Sequence, residues 1–173
     1  MKRLTVALIA ALSSPLVLAV EKPYLGIDYQ VGTYDINGAQ VNPEAIRLRG
    51  GTELNPYLAV EAQVGAGTQS DLYVKSGVGY DIKVESFYSL FVRPQLSIND
   101  IASAYALLGG TYIDVSSSSH NALFASDKGF KKTFSYGVGV DFNISNNVRL
   151  NADYIQYIDN YSALSFGIRI PIN

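Results

Sequence analysis

Hydrophobic and polar residues alternate along most of the chain beyond residue 20. The clearest runs are 25–32 (LGIDYQVG), 58–65 (LAVEAQVG), 134–144 (FSYGVGVDFNI) and 164–172 (LSFGIRIPI). A two-residue period places successive side chains on opposite faces of a β-strand, so each run predicts a strand with one apolar face. Because less regular runs add four further strands, the pattern predicts eight strands in all; the four lie at 44–53, 80–93, 103–115 and 147–158.

The composition of the two faces separates a membrane barrel from a soluble sandwich, since alternation alone fits both. The polar positions hold mainly Gly, Ser, Asn and isolated charges, whereas a water-facing sheet is usually rich in Lys, Glu and Thr. Small side chains suit the interior of a narrow barrel, and Tyr and Phe near strand ends are typical of an aromatic girdle. We therefore predict an all-β fold, an eight-stranded antiparallel up-and-down transmembrane β-barrel, with an exported soluble sandwich as the alternative.

The links between the predicted strands also differ in length. Segments 53–56 and 143–147 are short and rich in turn residues. The longer polar links are 36–43, 67–79 and the Ser-rich 116–132. Outer-membrane barrels have short periplasmic turns and long outer loops, so this alternation supports the barrel. The link 94–102 belongs with the short turns by its position but is longer than this pattern predicts.

The first residues read as a targeting signal. Two basic residues follow Met1, an apolar run occupies 4–12, and the small residues of a cleavage site lie at 17–19. An N-terminal membrane anchor is the alternative, but the apolar run is short for a spanning helix. We predict a cleaved signal peptide over 1–19 and an outer-membrane barrel domain over 20–173.

Composition excludes several classes of site. The sequence has no cysteine, which excludes disulfides, cysteine nucleophiles, cysteine metal sites and lipid attachment through cysteine. The formal charge is −2 and no block of like charges suggests binding to nucleic acid. We therefore expect no cofactor, no metal and no nucleic-acid partner.

Four segments resemble the OmpA/OmpX-like family of small outer-membrane barrels. They are 104–112 (AYALLGGTY), 134–142 (FSYGVGVDF), 148–154 (VRLNADY) and 163–168 (ALSFGI). The resemblance implies a location in the bacterial outer membrane, in contact with its lipid and lipopolysaccharide. It also implies passage through periplasmic chaperones and the barrel-assembly machinery.

The C-terminus departs from this family. Its members commonly end on an aromatic residue, which the resemblance implies is read by the assembly machinery. Here Ile172 occupies that position, with Pro171 before it and Asn173 after it. Proline cannot donate to the strand ladder and is tolerated only near a strand end.

Charged residues at the polar positions are predicted to point into the lumen. An eight-stranded barrel has an interior that side chains just fill, so buried charges there must pair. We predict a salt-bridge network that plugs the lumen, with a gated pore as the alternative. The predicted members are Asp28, Arg47, Arg49, Glu61, Lys83, Glu85, Arg93, Asp141, Arg149, Asp153 and Arg169.

Catalytic candidates are few. His120 is the one histidine of the sequence and lies in a Ser-rich segment. A serine hydrolase needs a nucleophile, a base and an orienting acid in fixed geometry, and no such set is evident around His120. We predict that the protein is not an enzyme.

The remaining cluster is basic. Lys128, Lys131 and Lys132 are predicted to lie in an outer loop, where they could contact anionic lipopolysaccharide. The predicted function is a structural or surface-interaction role in envelope integrity, adhesion or lipopolysaccharide contact through the outer loops, carried out by a monomer. The alternatives are a narrow channel for small solutes or ions and, less favoured, a barrel enzyme acting on lipids.

Overall fold

The computed structural model describes residues 22–36, 39–75, 78–119, 127–145 and 147–172. The predicted signal peptide and His120 lie outside these residues. The described chain forms ten strands: β1 (Lys22–Ile36), β2 (Ala39–Val41), β3 (Glu44–Asn55), β4 (Leu58–Gln69), β5 (Asp71–Lys75), β6 (Val78–Ser97), β7 (Ala102–Ser119), β8 (Asp127–Ser145), β9 (Val148–Ile158) and β10 (Tyr161–Pro171). In the described part of the chain, no helix is long and apolar enough to cross a bilayer.

Eight of these strands form a closed antiparallel barrel. Each barrel strand pairs with its neighbours in the chain, and β10 returns to pair with β1 from Tyr24–Pro171 to Tyr34–Tyr161. The short strands β2 and β5 extend the wall by pairing with β1 and β6 respectively. The predicted eight-stranded up-and-down barrel is therefore confirmed.

The two ends of the barrel differ. At one end, which we call the turn end, β1 begins and β10 finishes. The same end carries the links between β3 and β4, between β6 and β7 and between β8 and β9. The predicted length of the link 94–102 is wrong. β6 continues to Ser97 and β7 begins at Ala102, so the link is only 98–101. The Asn99 side-chain oxygen accepts from the Ile101 and Ala102 backbone N–H groups and closes a tight turn.

The opposite end, the loop end, has a wall of uneven height. Strands β6, β7 and β8 contain 20, 18 and 19 residues, whereas β9 and β10 contain 11 each. The extra length of the three long strands extends past the loop end of β9 and β10. Much of the sequence predicted as loop, including parts of 67–79 and 116–132, is therefore strand.

The apolar face of the alternation points outward. Leu90 and Val138 are each 63% exposed, and Leu25 and Ile27 are each 52% exposed. Such a surface suits lipid and does not suit water, so it excludes the soluble sandwich. Exposed aromatic side chains lie on several strands of this outer face: Tyr29, Tyr88, Phe134, Tyr136, Tyr154 and Phe166.

The interior has two parts. Towards the turn end it is charged, and towards the loop end it holds a cluster of buried apolar side chains, which we call the apolar plug. Its large and fully buried side chains are Phe87, Phe91, Leu107, Ile113, Ile155, Tyr157 and Tyr161. The Phe87 and Tyr157 rings lie 5.0 Å apart, and the Tyr157 and Tyr161 rings stack at 5.9 Å. The sequence pattern did not predict this plug.

Candidate functional site

The most distinctive chemistry of the molecule lies in the lumen. Eight of the eleven charges predicted to point inward are 2% exposed or less: Asp28, Arg47, Arg49, Glu61, Arg93, Asp141, Asp153 and Arg169. They are contributed by seven different strands, because the polar parity of each strand faces the lumen. The barrel brings them into contact around its axis.

Asp28 on β1 anchors the first group of ion pairs. Its Oδ2 atom accepts from Arg47 Nε at 2.9 Å and from Arg49 Nε at 2.8 Å. Its Oδ1 atom accepts from Arg49 Nη2 at 2.9 Å and from Asn151 Nδ2 at 2.6 Å. The opposing β10 residue is Gly167, where an added Cβ would lie 2.1 Å from Asp28 Oδ1. The small residue is therefore required for the carboxylate to fit.

Asp153 on β9 approaches the same two arginines. Its Oδ2 atom lies 2.7 Å from both Arg47 Nη2 and Arg49 Nη2, and accepts from the Tyr105 hydroxyl at 3.0 Å. Each guanidinium group therefore contacts two carboxylates, and each carboxylate contacts two guanidinium groups. Charge-assisted hydrogen bonds of this kind are about twice as strong as neutral ones.

A second group surrounds Asp141 on β8. Its Oδ2 atom lies 2.5 Å from Arg93 Nη2 and 2.6 Å from Arg169 Nη2. The Arg93 guanidinium lies 3.8 Å from the centre of the Tyr105 ring, and that of Arg169 lies 4.4 Å from the centre of the Tyr24 ring. The two buried guanidinium groups are thus stabilised by one carboxylate, which both contact, and by one aromatic face each.

Two carboxylates connect these groups into one array. Glu61 lies 3.6 Å from Arg49 and 3.8 Å from Arg93. Glu53 lies 3.9 Å from Arg169 and 3.0 Å from Arg149. We call the resulting set of five arginines and five carboxylates the charge chain; its members are Asp28, Arg47, Arg49, Glu53, Glu61, Arg93, Asp141, Arg149, Asp153 and Arg169. The chain is neutral as a whole.

Arg149 and Glu53 form the end of the charge chain nearest the turn end. The Arg149 side chain is 33% exposed, so this end of the chain is partly open to solvent. Both residues line a polar cavity of about 210 Å³. Glu53 was not predicted, because it lies where the predicted strand 44–53 meets the predicted turn 53–56, although β3 continues to Asn55 and Glu53 has the same parity as Arg47 and Arg49.

Tyrosines and amides are the other lumen groups that sequence reasoning missed. The Tyr24 hydroxyl donates to Glu61 Oε2 at 2.7 Å, and Gln30 Nε2 donates to Tyr157 and Ser165 oxygens at 2.9 and 2.8 Å. Tyr24 and Gln30 have the same parity on β1 as Asp28, which could have indicated that they face the lumen. Tyrosine, however, is common on the lipid-facing side of such barrels. These groups surround the ion pairs and fix their geometry.

Lys83 and Glu85 do not join the charge chain, and their predicted inward orientation is wrong. A β-bulge in β6 between Val84 and Ser86 shifts the alternation by one residue. Ile82 and Val84 are buried instead. The Lys83 and Glu85 side chains are 39% and 35% exposed and lie 3.9 Å from each other.

The three lysines of the predicted outer loop lie on strand β8 rather than in a loop. Lys131 and Lys132 are exposed, and Lys132 Nζ lies 5.6 Å from the centre of the Tyr112 ring. The Lys128 side chain lies outside the described part of the structure. No group of three or more metal-ligating His, Cys, Asp or Glu side chains is found among the described residues.

An apolar outer surface around a closed ladder with a charged interior defines a transmembrane β-barrel, the class found in bacterial outer membranes. The chain belongs to the family described as "Outer membrane protein beta-barrel domain", which it matches over residues 4–169. It is accordingly a protein of the bacterial outer membrane, and the predicted resemblance to OmpA/OmpX-like barrels is confirmed. In such barrels the short turns face the periplasm, which makes the loop end extracellular.

Solved structures share the fold. Ail, the attachment invasion locus protein of Yersinia pestis, is 22% identical, with 87% of this chain and 96% of Ail covered and a TM-score of 0.59. Neisserial surface protein A is 15% identical over 86% of this chain and 96% of its own, with a TM-score of 0.62. The N-terminal barrel of Pseudomonas aeruginosa OprF is 10% identical over 86% and 97%, with a TM-score of 0.54. No curated relative matches the chain.

Proposed function

We propose that this protein is a plugged barrel with a structural or surface-interaction role, and that its partners bind to the extracellular strands and loops. The observation that carries the proposal is the buried charge chain, in which every guanidinium group has a carboxylate within 4 Å. An ion that crossed the lumen would have to separate these pairs. Removing one partner of a buried pair costs about 3–5 kcal/mol.

The apolar plug supports the same proposal, and it contacts the charge chain directly, since Arg47 Nη1 donates to the Tyr157 hydroxyl at 3.2 Å. Phe87, Tyr157 and Tyr161 are fully buried inside the barrel, and the Tyr157 ring packs against the other two rings. A hydrated ion gains nothing from such a lining. The alternative of a narrow channel would therefore require both the charge chain and the apolar plug to open.

The extracellular strands carry the surface role in this proposal. Ail, which shares the fold, has been crystallised with the heparin analogue sucrose octasulfate. For this chain we propose contact with an anionic surface group such as lipopolysaccharide through Lys131 and Lys132, with Lys128 on the same strand. We propose no catalytic role.

Planar-bilayer conductance of the refolded protein tests the proposal, with a heat-dependent gel shift to show that the barrel is folded. We expect no stable conductance from the wild type or from Glu61→Ala and Arg169→Ala, because each variant breaks the charge chain and leaves the apolar plug. Steady single-channel steps from the folded wild type would refute the plugged barrel. Steps from either variant alone would favour the gated pore.

A further inference from the structure

The polar cavity at the turn end, which we call the periplasmic cavity, has the size of a site for a small ligand. It has a volume of about 210 Å³ and lies among the β3–β4 and β6–β7 links and the ends of β1, β8 and β9. Pockets for drug-sized ligands measure about 300–1,000 Å³, so this cavity takes a small molecule or one end of a longer one. Because the charge chain fills the lumen behind Glu53 and Arg149, a ligand must enter from the periplasm.

The rim of the cavity is fixed by backbone hydrogen bonds between its links and the neighbouring strands. The Gln95 N–H donates to the Tyr57 carbonyl at 2.9 Å, which joins the β3–β4 link to β6. The Asn143 N–H donates to the Ile101 carbonyl at 2.7 Å, which joins the β6–β7 link to β8. A site that is already ordered loses little conformational freedom when a ligand binds.

Two asparagine side chains in the cavity wall offer donors to a ligand. Asn55 Oδ1 accepts from the Tyr57 N–H at 2.8 Å, and Asn99 Oδ1 accepts from the Ile101 and Ala102 N–H groups at 2.9 and 2.7 Å. These bonds identify which atom of each side-chain amide is the oxygen, because only the oxygen can accept. Each residue lines the cavity with its Nδ2 group still available to donate.

The charge of the cavity favours an anion. Its charged lining residues in the described part of the chain are Lys22, Glu53 and Arg149, two positive and one negative. Arg149 Nη1 already lies 3.0 Å from Glu53 Oε1. Arg169 lies 3.9 Å from Glu53, and its buried Nη1 has no hydrogen-bond partner among the described residues. One net positive charge matches a carboxylate, whereas a phosphate group, at about −1.5 to −2, would bring excess negative charge to Glu53.

We propose that the periplasmic cavity binds the C-terminal carboxylate of a short peptide. Lys22 and Arg149 attract the carboxylate, and the two asparagine Nδ2 groups donate to its oxygens. Asn143 Nδ2 donates to the Asp100 carbonyl at 2.8 Å, which leaves its side-chain oxygen to accept from the last N–H of the peptide. The site goes beyond the proposed surface role, because it lies at the opposite end of the barrel and takes a periplasmic ligand.

Titration of the ¹⁵N-labelled protein with N-acetyl-alanyl-alanine tests the site by NMR, in nanodiscs of phosphatidylcholine that add no net charge. The side-chain amide signals of Asn55 and Asn99 should shift and saturate. The C-terminal amide of the same dipeptide should bind at least about tenfold more weakly, since it cannot form charge-assisted hydrogen bonds. Lys22→Gln should weaken binding of the acid about threefold, as expected for a partly exposed ion pair, whereas the matched change Lys131→Gln at the extracellular end should leave it unchanged.

Three results would overturn the site. Equal affinity for the acid and the amide would show that the carboxylate is not recognised, and tighter binding of inorganic phosphate would show that the cavity does not select a carboxylate. Unshifted asparagine signals at the highest soluble dipeptide concentration would show that the cavity is not occupied. A heat-dependent gel shift and conductance on the same samples keep the proposals apart, because a folded, silent barrel that binds no dipeptide contradicts the site and leaves the plugged barrel standing.

Discussion

Replacing Asp153 by Asn removes one negative charge from the lumen and leaves the shape of the side chain unchanged. Asp153 Oδ2 accepts three hydrogen bonds, from Arg47 and Arg49 at 2.7 Å each and from the Tyr105 hydroxyl at 3.0 Å. The charge chain would then carry one net positive charge in a space closed to water. We expect the barrel to be less stable, since Arg47 and Arg49 would then share Asp28 as their one carboxylate within 3 Å among the described residues.

The expected cost is about 3 kcal/mol, near the lower end of the range for breaking a buried ion pair, because Asp28 remains and the Asn oxygen can still accept. That is a large part of the stability of an ordinary domain, about 5–15 kcal/mol. The sequence contains no tryptophan, so the folded fraction in a urea titration is best read from the heat-dependent gel shift in vesicles.

Two variants make the prediction decisive. Asp159→Asn is the matched control, because Asp159 is exposed in the β9–β10 turn, and its stability should equal that of the wild type. Adding Arg49→Gln to Asp153→Asn restores neutrality, so the double variant should be more stable than additivity of the two single changes predicts. If Asp153→Asn unfolds at the same urea concentration as the wild type, the charge chain does not stabilise the barrel.

Two further predictions concern packing and the chain end. Gly65→Ala should destabilise the barrel by about 1–3 kcal/mol, since the added Cβ would lie 2.1 Å from the Phe87 ring. Gly110→Ala is the control, because its added Cβ would lie 3.7 Å from the nearest atom, and it should unfold like the wild type in the same titration. Ile172→Phe should increase the folded fraction recovered from outer membranes, as measured by the gel shift, if the assembly machinery reads an aromatic residue there; an unchanged fraction would remove that interpretation.

The sequence predicted the barrel well where one face meets lipid and the other a polar lumen. In β1, Leu25, Ile27 and Tyr29 alternate with Gly26 and Asp28, and the structure keeps that parity without interruption. The same parity identified nine of the ten members of the charge chain, all except Glu53. Where each face of a strand meets a single environment along its length, lipid or polar lumen, the two-residue period is visible in the sequence.

The pattern failed where the environment changes along a strand. Phe87 and Phe91 fill the plug while Leu90 and Val92 face lipid, so both faces of β6 are apolar and alternation disappears. The bulge at Glu85 then reverses which residues of β6 face the lumen. A bulge adds only one residue to a strand, and the sequence pattern does not reveal it. Beyond the membrane, the Ser-rich end of β7 has the composition of a loop, yet it is held as strand by its neighbours.

The route of the charge chain across the β1–β10 closure has a consequence for how the barrel forms. Asp28 on β1 binds Asn151 on β9, and Arg169 on β10 packs over the Tyr24 ring of β1. Both contacts exist only once the first and last strands have met. A sheet that entered the bilayer with this seam open would hold unmatched charges next to hydrocarbon, at a cost of several kcal/mol for each ion. Insertion and closure are therefore expected to occur as one cooperative step, and half-closed barrels should not accumulate in the membrane.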